Sequence, residues 1–193
     1  MISLVTTLWI MIGLFAIVDM QRGWTRAVIA TAGLILALFT INQFGPLLFD
    51  ALGYFDQPFD ATIWRREILI MAGILLFIAF FAYAGPTVAG GRLAGKLAIR
   101  DNVQDKVLGL LVGAVNGYLI VGTLLSFLEY RLSREGWVAT NPMPYPFPDS
   151  IIIRTESIDA ISGYLPIPLL TSNPYILPVM LVLIFLFVLI VML

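Results

Sequence analysis

VLGLLVGAVNGYLIVGTLLSFL, residues 107–128, carries no charged side chain over 22 consecutive positions. About twenty apolar residues in a helix cross the roughly 30 Å hydrocarbon core of a bilayer, and a helix satisfies its own backbone polar groups there. Working outward, four more runs read the same way: residues 2–18, 27–49, 68–84 and 176–193. Gly45-Pro46 softens the second near its end, and Gly85-Pro86 ends or kinks the third. Pro178 falls in the first turn of the last run, where a missing N–H costs little. The expected fold is all-α, a polytopic transmembrane bundle of five helices. The first and fifth runs are short for a span and predict little tilt.

Composition agrees. Hydrophobic residues make up 60% of the chain and mean hydropathy is +0.98, against about 45–50% apolar in ordinary soluble domains. There is no His and no Cys. That removes thiolate chemistry, disulfides, iron–sulfur clusters and the commonest zinc and haem ligands, and leaves only a carboxylate metal site open. Nucleophilic Ser/His and Cys/His catalysis is excluded with them. A net charge of −1 gives no reason to expect nucleic acid. No catalytic residue and no cofactor are expected; a bound lipid or quinone is compatible with the composition. The stretch 1–18 lacks a basic leader and a small-x-small cleavage site, so it reads as a retained first helix.

The loops carry the topology. Arg22 and Arg26 follow the first run, and Arg92, Lys96, Arg100 and Lys106 follow the third, all in short connections. Arg65, Arg66, Arg131, Arg134 and Arg154 lie on the other side, in longer segments. Lys and Arg in short loops mark the cytoplasmic side, which puts the N-terminus outside and the C-terminus inside. Trp24, Trp64 and Trp137 are expected interfacial anchors, with Tyr54, Phe55 and Phe59 in the same role. Three regions follow: a four-helix core over 1–128, an extracytoplasmic Pro-rich segment over 129–175, and the fifth span over 176–193. Pro142, Pro144, Pro146 and Pro148 favour extended chain in the middle region. A short amphipathic helix is expected over 157–165, ended by Pro166 and Pro168 and lying on the membrane or against a partner.

Inside the fourth run, Gly109, Gly113 and Gly117 recur every four residues. They line one helix face and let another backbone approach closely. Contact with the second or third helix is the favoured reading, and an oligomer seam or conduit wall is the alternative. Asn116, beside them, reads as interhelical hydrogen-bonding glue. No ionisable residue lies at mid-run, which argues against a proton relay or a charged-substrate transporter. Asp19 and Arg22, three apart, read as a surface ion pair at the membrane edge. GGRLAGKL, residues 90–97, approaches a phosphate-loop pattern but has Leu97 where a magnesium-binding hydroxyl belongs, and follows a membrane run. Arg92, Lys96 and Arg100 instead form a basic stripe suited to an anionic leaflet. Asp101 and Gln104 resemble a capping box for the fourth helix.

Two stretches resemble the colicin V production protein family. They are Asp19-x-x-Arg22-Gly23-x-x-Arg26, and Asp105-Lys106-Val107-Leu108-Gly109 continued by Gly113-Ala114 and Gly117. The Pro-rich segment leading to residues 150–153 and Leu165-Pro166 is also similar, so the likeness covers about 1–166. Asn116 stands where the family often has Arg, and the fifth run is an addition to a four-helix core. The resemblance implies a bacterial inner-membrane protein linked to export of a peptide toxin and to envelope upkeep, and it brings no catalytic residues. The expected role is a non-enzymatic scaffold or export accessory. Its partners would be lipids and either other membrane subunits or further copies of itself. An accessory subunit of a respiratory or photosynthetic complex is the alternative, and a small channel for a neutral solute ranks third.

Overall fold

The computed structural model describes residues 3–58, 60–88, 103–140, 143–148 and 156–192. Helix α1, Leu4–Arg22, opens with the Ser3 hydroxyl accepting from the Val5 amide and ends at Gly23. Gly23 alone separates α1 from α2, Trp24–Ala51, and its φ of +85° is a conformation that a side chain disfavours. Helix α2 runs through Pro46 without ending. Helix α3, Ala61–Val88, likewise continues through Gly85-Pro86. Both have 28 residues, about 42 Å at 1.5 Å per residue, so both must tilt or project beyond the hydrocarbon.

Helix α4, Val103–Gly117, passes into a π-helical turn at Tyr118–Gly122 and then α5, Thr123–Glu129. Four stretches are long and apolar enough to cross a membrane: Leu4–Arg22, Trp24–Ala51, Ala61–Gly85 and Val103–Glu129. Ser157–Thr171 with Ile176–Ile190, bent by 76°, makes a fifth if taken as one span. The architecture is an all-α membrane bundle. Helix α2 lies inside it, against α3, α4 and α8. Gly33 marks the tightest approach to α3, since a Cβ there would lie 2.3 Å from that of Ala82. The exposed sides of α1, α3 and α4 carry large apolar groups such as Trp9, Leu14, Phe77, Phe80 and Leu111, as lipid contact requires.

After α5 the chain departs from the expected irregular path. Strands β1, Tyr130–Ser133, and β2, Gly136–Ala139, form an antiparallel hairpin with Arg131 opposite Val138 and Leu132 opposite Trp137. Leu132 packs onto α2 at Gly45, where a Cβ would come within 2.5 Å of its Cδ2. The expected amphipathic helix over 157–165 is shorter, and a second helix follows it. Helix α6, Glu156–Ser162, stops early, and Pro166 opens α7, Pro166–Thr171, because proline fits the first helical position. Ile158 and Leu165 are buried in the chain's own core, while Tyr164 and Leu169 are exposed. Helix α7 is held at the π turn: Pro166 sits where a Cβ on Gly122 would be, and the Ile167 amide donates to Ser126 Oγ at 3.4 Å. Helix α8, Ile176–Met192, then returns along α2.

Candidate functional site

At the end of the bundle where α1 stops, a carboxylate is sealed from solvent. The inward face of α1 runs through Leu8, Ile12, Phe15, Ala16 and Asp19, so helical register carries Asp19 into the interior. Asp19 is 0% exposed. Such a charge is tolerated only when donors replace its water. Arg22 donates to Asp19 Oδ1 at 2.8 Å, while the Tyr83 hydroxyl and the Asn116 amide donate to Oδ2 at 3.0 and 2.7 Å. Arg22 also donates to the Tyr83 carbonyl at 2.8 Å, and its guanidinium lies 4.3 Å from the centre of the Tyr83 ring. Asn116 gives a second bond to the Ala27 carbonyl at 3.0 Å and accepts from Thr31 at 2.7 Å. One knot thereby ties α1, α2, α3 and α4.

The glycines make the knot possible. A Cβ on Gly109 would lie 2.7 Å from the Asp19 carbonyl oxygen, one on Gly113 2.6 Å from Asp19 Cβ, and one on Gly117 2.9 Å from Ile12 Cα. The seam therefore receives α1, not the second or third helix, and it brings Asn116 within reach of Asp19. Asp105, in the first turn of α4, accepts the Trp24 amide at 3.3 Å and caps the start of α2. The Cβ missing from Gly23 would collide with that same carboxylate at 2.7 Å. Asp19, Arg22 and Gly23 thus meet Asp105, Gly109 and Gly113 in space. The Asp19–Arg22 pair is interior, which corrects its reading as a surface ion pair, because α1 continues to Arg22 and α4 covers it.

The other end is built differently. Buried positions on α3 recur at Trp64, Glu67, Ile68, Met71, Leu75 and Ala79, which turns Glu67 inward. Arg131 of β1 reaches it with two donors, both at 2.8 Å. Arg134, at the hairpin turn, binds Asp50 at 2.6 Å and Asp56 at 2.8 Å. The Asp56 carboxylate, followed by Asp50, raises its pKa. Burial, and then the charge of Glu129, raises that of the Tyr130 phenol. The hairpin, α2 and α7 enclose a groove of about 630 Å³ with Asn42, Tyr130, Arg134, Glu135 and Trp137 on its walls.

The expected anchors fall in three settings. Trp64 is 2% exposed, a core residue and not a half-wet one, because the period of α3 turns it inward. Trp137 stacks on Phe127 at 6.0 Å and donates to Asn42 at 2.9 Å. Trp24 meets Phe187 of α8 at 6.3 Å. Lys106 is exposed at the start of α4. Arg92, Lys96 and Arg100, Asp101 of the capping box, and residues 150–153 lie outside the described residues. Tyr83, Thr31, Glu67 and Arg131 were not anticipated as a group. The helical period through Trp64, Ile68 and Met71 is the signal that could have found Glu67. Among the described residues no cluster of three or more acidic side chains is placed to hold a metal ion.

Fold and site together define a multi-pass helical membrane protein whose buried Asp19 and Glu67 are each paired with an arginine of the same chain. The chain matches the colicin V production protein family over residues 6–146 and belongs to it. That match covers α1 to α5 and the hairpin, and ends before α6 to α8. No curated protein and no solved structure shows significant similarity to the chain.

Proposed function

We propose that this protein is a non-enzymatic accessory of the bacterial inner membrane, a scaffold for export or envelope assembly. The observation that carries this reading is the closure of its polar chemistry. Asp19 and Glu67 are spent on pairs inside the chain, and the glycine seam is spent on α1. Asp19 and Glu67 therefore offer no free charge of the kind that relays ions or protons across a membrane. The outward faces of α1, α3 and α8 are apolar, and they suit lipid, other membrane subunits or another copy of this chain. The family's name, colicin V production protein, supports an export-linked role. Basic residues in the short connections at the knot end support a cytoplasmic position for that end, with the N-terminus outside.

Purification in a gentle detergent followed by mass analysis tests the assignment. Stoichiometric recovery of envelope or export subunits, or of a stable homo-oligomer, is the expected result. Recovery with a pigmented redox complex would make the chain a respiratory or photosynthetic subunit instead. Solute flux through reconstituted liposomes would make it a channel.

A further inference from the structure

Arg26 is the one charged residue of the Asp19-x-x-Arg22-Gly23-x-x-Arg26 stretch that the knot does not absorb. It is half-buried, and it has no hydrogen-bond or ion-pair partner among the described residues. Arg26 begins a stripe on α2 that continues through Ile29, Gly33 and Leu36 at helical spacing. That stripe is one wall of a groove of about 580 Å³ between α2 and α8. Leu181, Phe185 and Val188 stand on the opposite wall, and the lining is almost wholly apolar. Trp24 lies against Phe187 at the same end as Arg26, where an indole ring suits the headgroup level.

An apolar trench with an indole near one end, and with Arg26, which has no partner among the described residues, one helical turn before Ile29, suits an amphiphile with an anionic head. We propose that the α2–α8 groove is a binding site for an acidic glycerophospholipid. Its acyl chain lies along Ile29, Ala32 and Leu36, and its phosphate is held by Arg26. Helix α8 lies beyond the family-matched residues, so one wall of the groove comes from the family core and the other from the part of the chain that extends it. The proposal does not depend on the accessory role. A scaffold, a redox subunit or a channel would each carry the same groove.

Native mass spectrometry of the purified protein, supplied with equal phosphatidylglycerol and phosphatidylcholine, reads the site directly. One basic residue near a membrane surface predicts about a fivefold preference for phosphatidylglycerol. Arg26→Gln should abolish that preference, Arg26→Lys should keep most of it, and Ala32→Phe should weaken retention of both lipids. Equal retention by the native protein overturns the proposal. So does a preference that survives Arg26→Gln, or selective retention of a quinone. If Arg26→Gln does not assemble, a phosphatidylglycerol with a photoreactive acyl chain decides on the native protein. Labelling within 29–36 or 181–188 supports the site, and labelling confined to other helices rejects it.

Discussion

Two buried carboxylates, Asp19 and Glu67, show two ways of holding a charge inside one bundle. Their partners on α3, Tyr83 and Glu67 itself, are sixteen residues apart, about 24 Å along the helix. Asp19 is held by donors from α1, α3 and α4, and no single one of them replaces its hydration. Glu67 is held by Arg131 through a bidentate pair reaching in from a hairpin outside the spans. The first arrangement needs backbones in close contact, and so it depends on the glycines of α4. The second needs only a long side chain from a strand that can approach from water. One end is therefore internal to the helices, while the other is a cap laid across them.

That contrast can be broken experimentally. Asp19→Ala takes the carboxylate from Arg22 and removes the acceptor shared by Tyr83 and Asn116. A loss of about 3–5 kcal/mol is expected, the usual range when one member of a buried pair is deleted. A fall in thermal midpoint in detergent, together with loss of native helix packing, would show it. Arg131→Ala should cost less, about 1.5–3 kcal/mol, as for hydrogen bonds to a charged group. Arg131 comes from the hairpin, outside the spans, so water can take its place beside Glu67. Limited proteolysis should then cut the hairpin and leave the four-helix core intact. If Arg131→Ala instead destabilises the protein as much as Asp19→Ala, the hairpin is integral to the bundle and the contrast fails.

Two smaller effects sharpen it. Asn116→Ala removes bonds to Asp19, Ala27 and Thr31 without stranding a full charge. About 1–2 kcal/mol is expected, at the upper end of measured hydrogen bonds between membrane helices. A double-mutant cycle with Asp19→Asn should show coupling, whereas a cycle of Asn116→Ala with Arg131→Ala should be additive. Arg134→Ala should leave the thermal midpoint unchanged, because its partners Asp50 and Asp56 are exposed and screened by solvent. A clear drop there would mean that the hairpin turn is held by more than a surface pair.

Much of the fold was legible in the residue pattern, and the limits of that reading have physical causes. Span number and helical class follow from local composition, since an uncharged run of sufficient length has few alternatives in a bilayer. The α4 glycines were visible as a seam because their spacing is a property of one helix. The helix they receive was not, because lipid is as apolar as the helices and hydropathy cannot rank α1 against α2 or α3. The hairpin was hidden by the prolines beyond it, and its turn, Arg134-Glu135, lacks the usual glycine–asparagine signal. Pro166 looked like a stop, yet it opens α7, since a proline both ends one helix and fits the first turn of another.

By itself the sequence determined that the chain crosses a membrane in several apolar helices, that its short connections are basic, and that α4 offers a face without side chains. These are consequences of which residues stand next to one another. The tertiary structure alone decided that α1 fills that face and that Asp19 meets an amide 97 residues away. It alone also decided that Glu67 is closed over by Arg131, 64 residues on, and that an apolar groove opens between α2 and α8. Such pairings depend on the rotation and depth of each helix relative to its neighbours, and packing sets those, not periodicity along the chain.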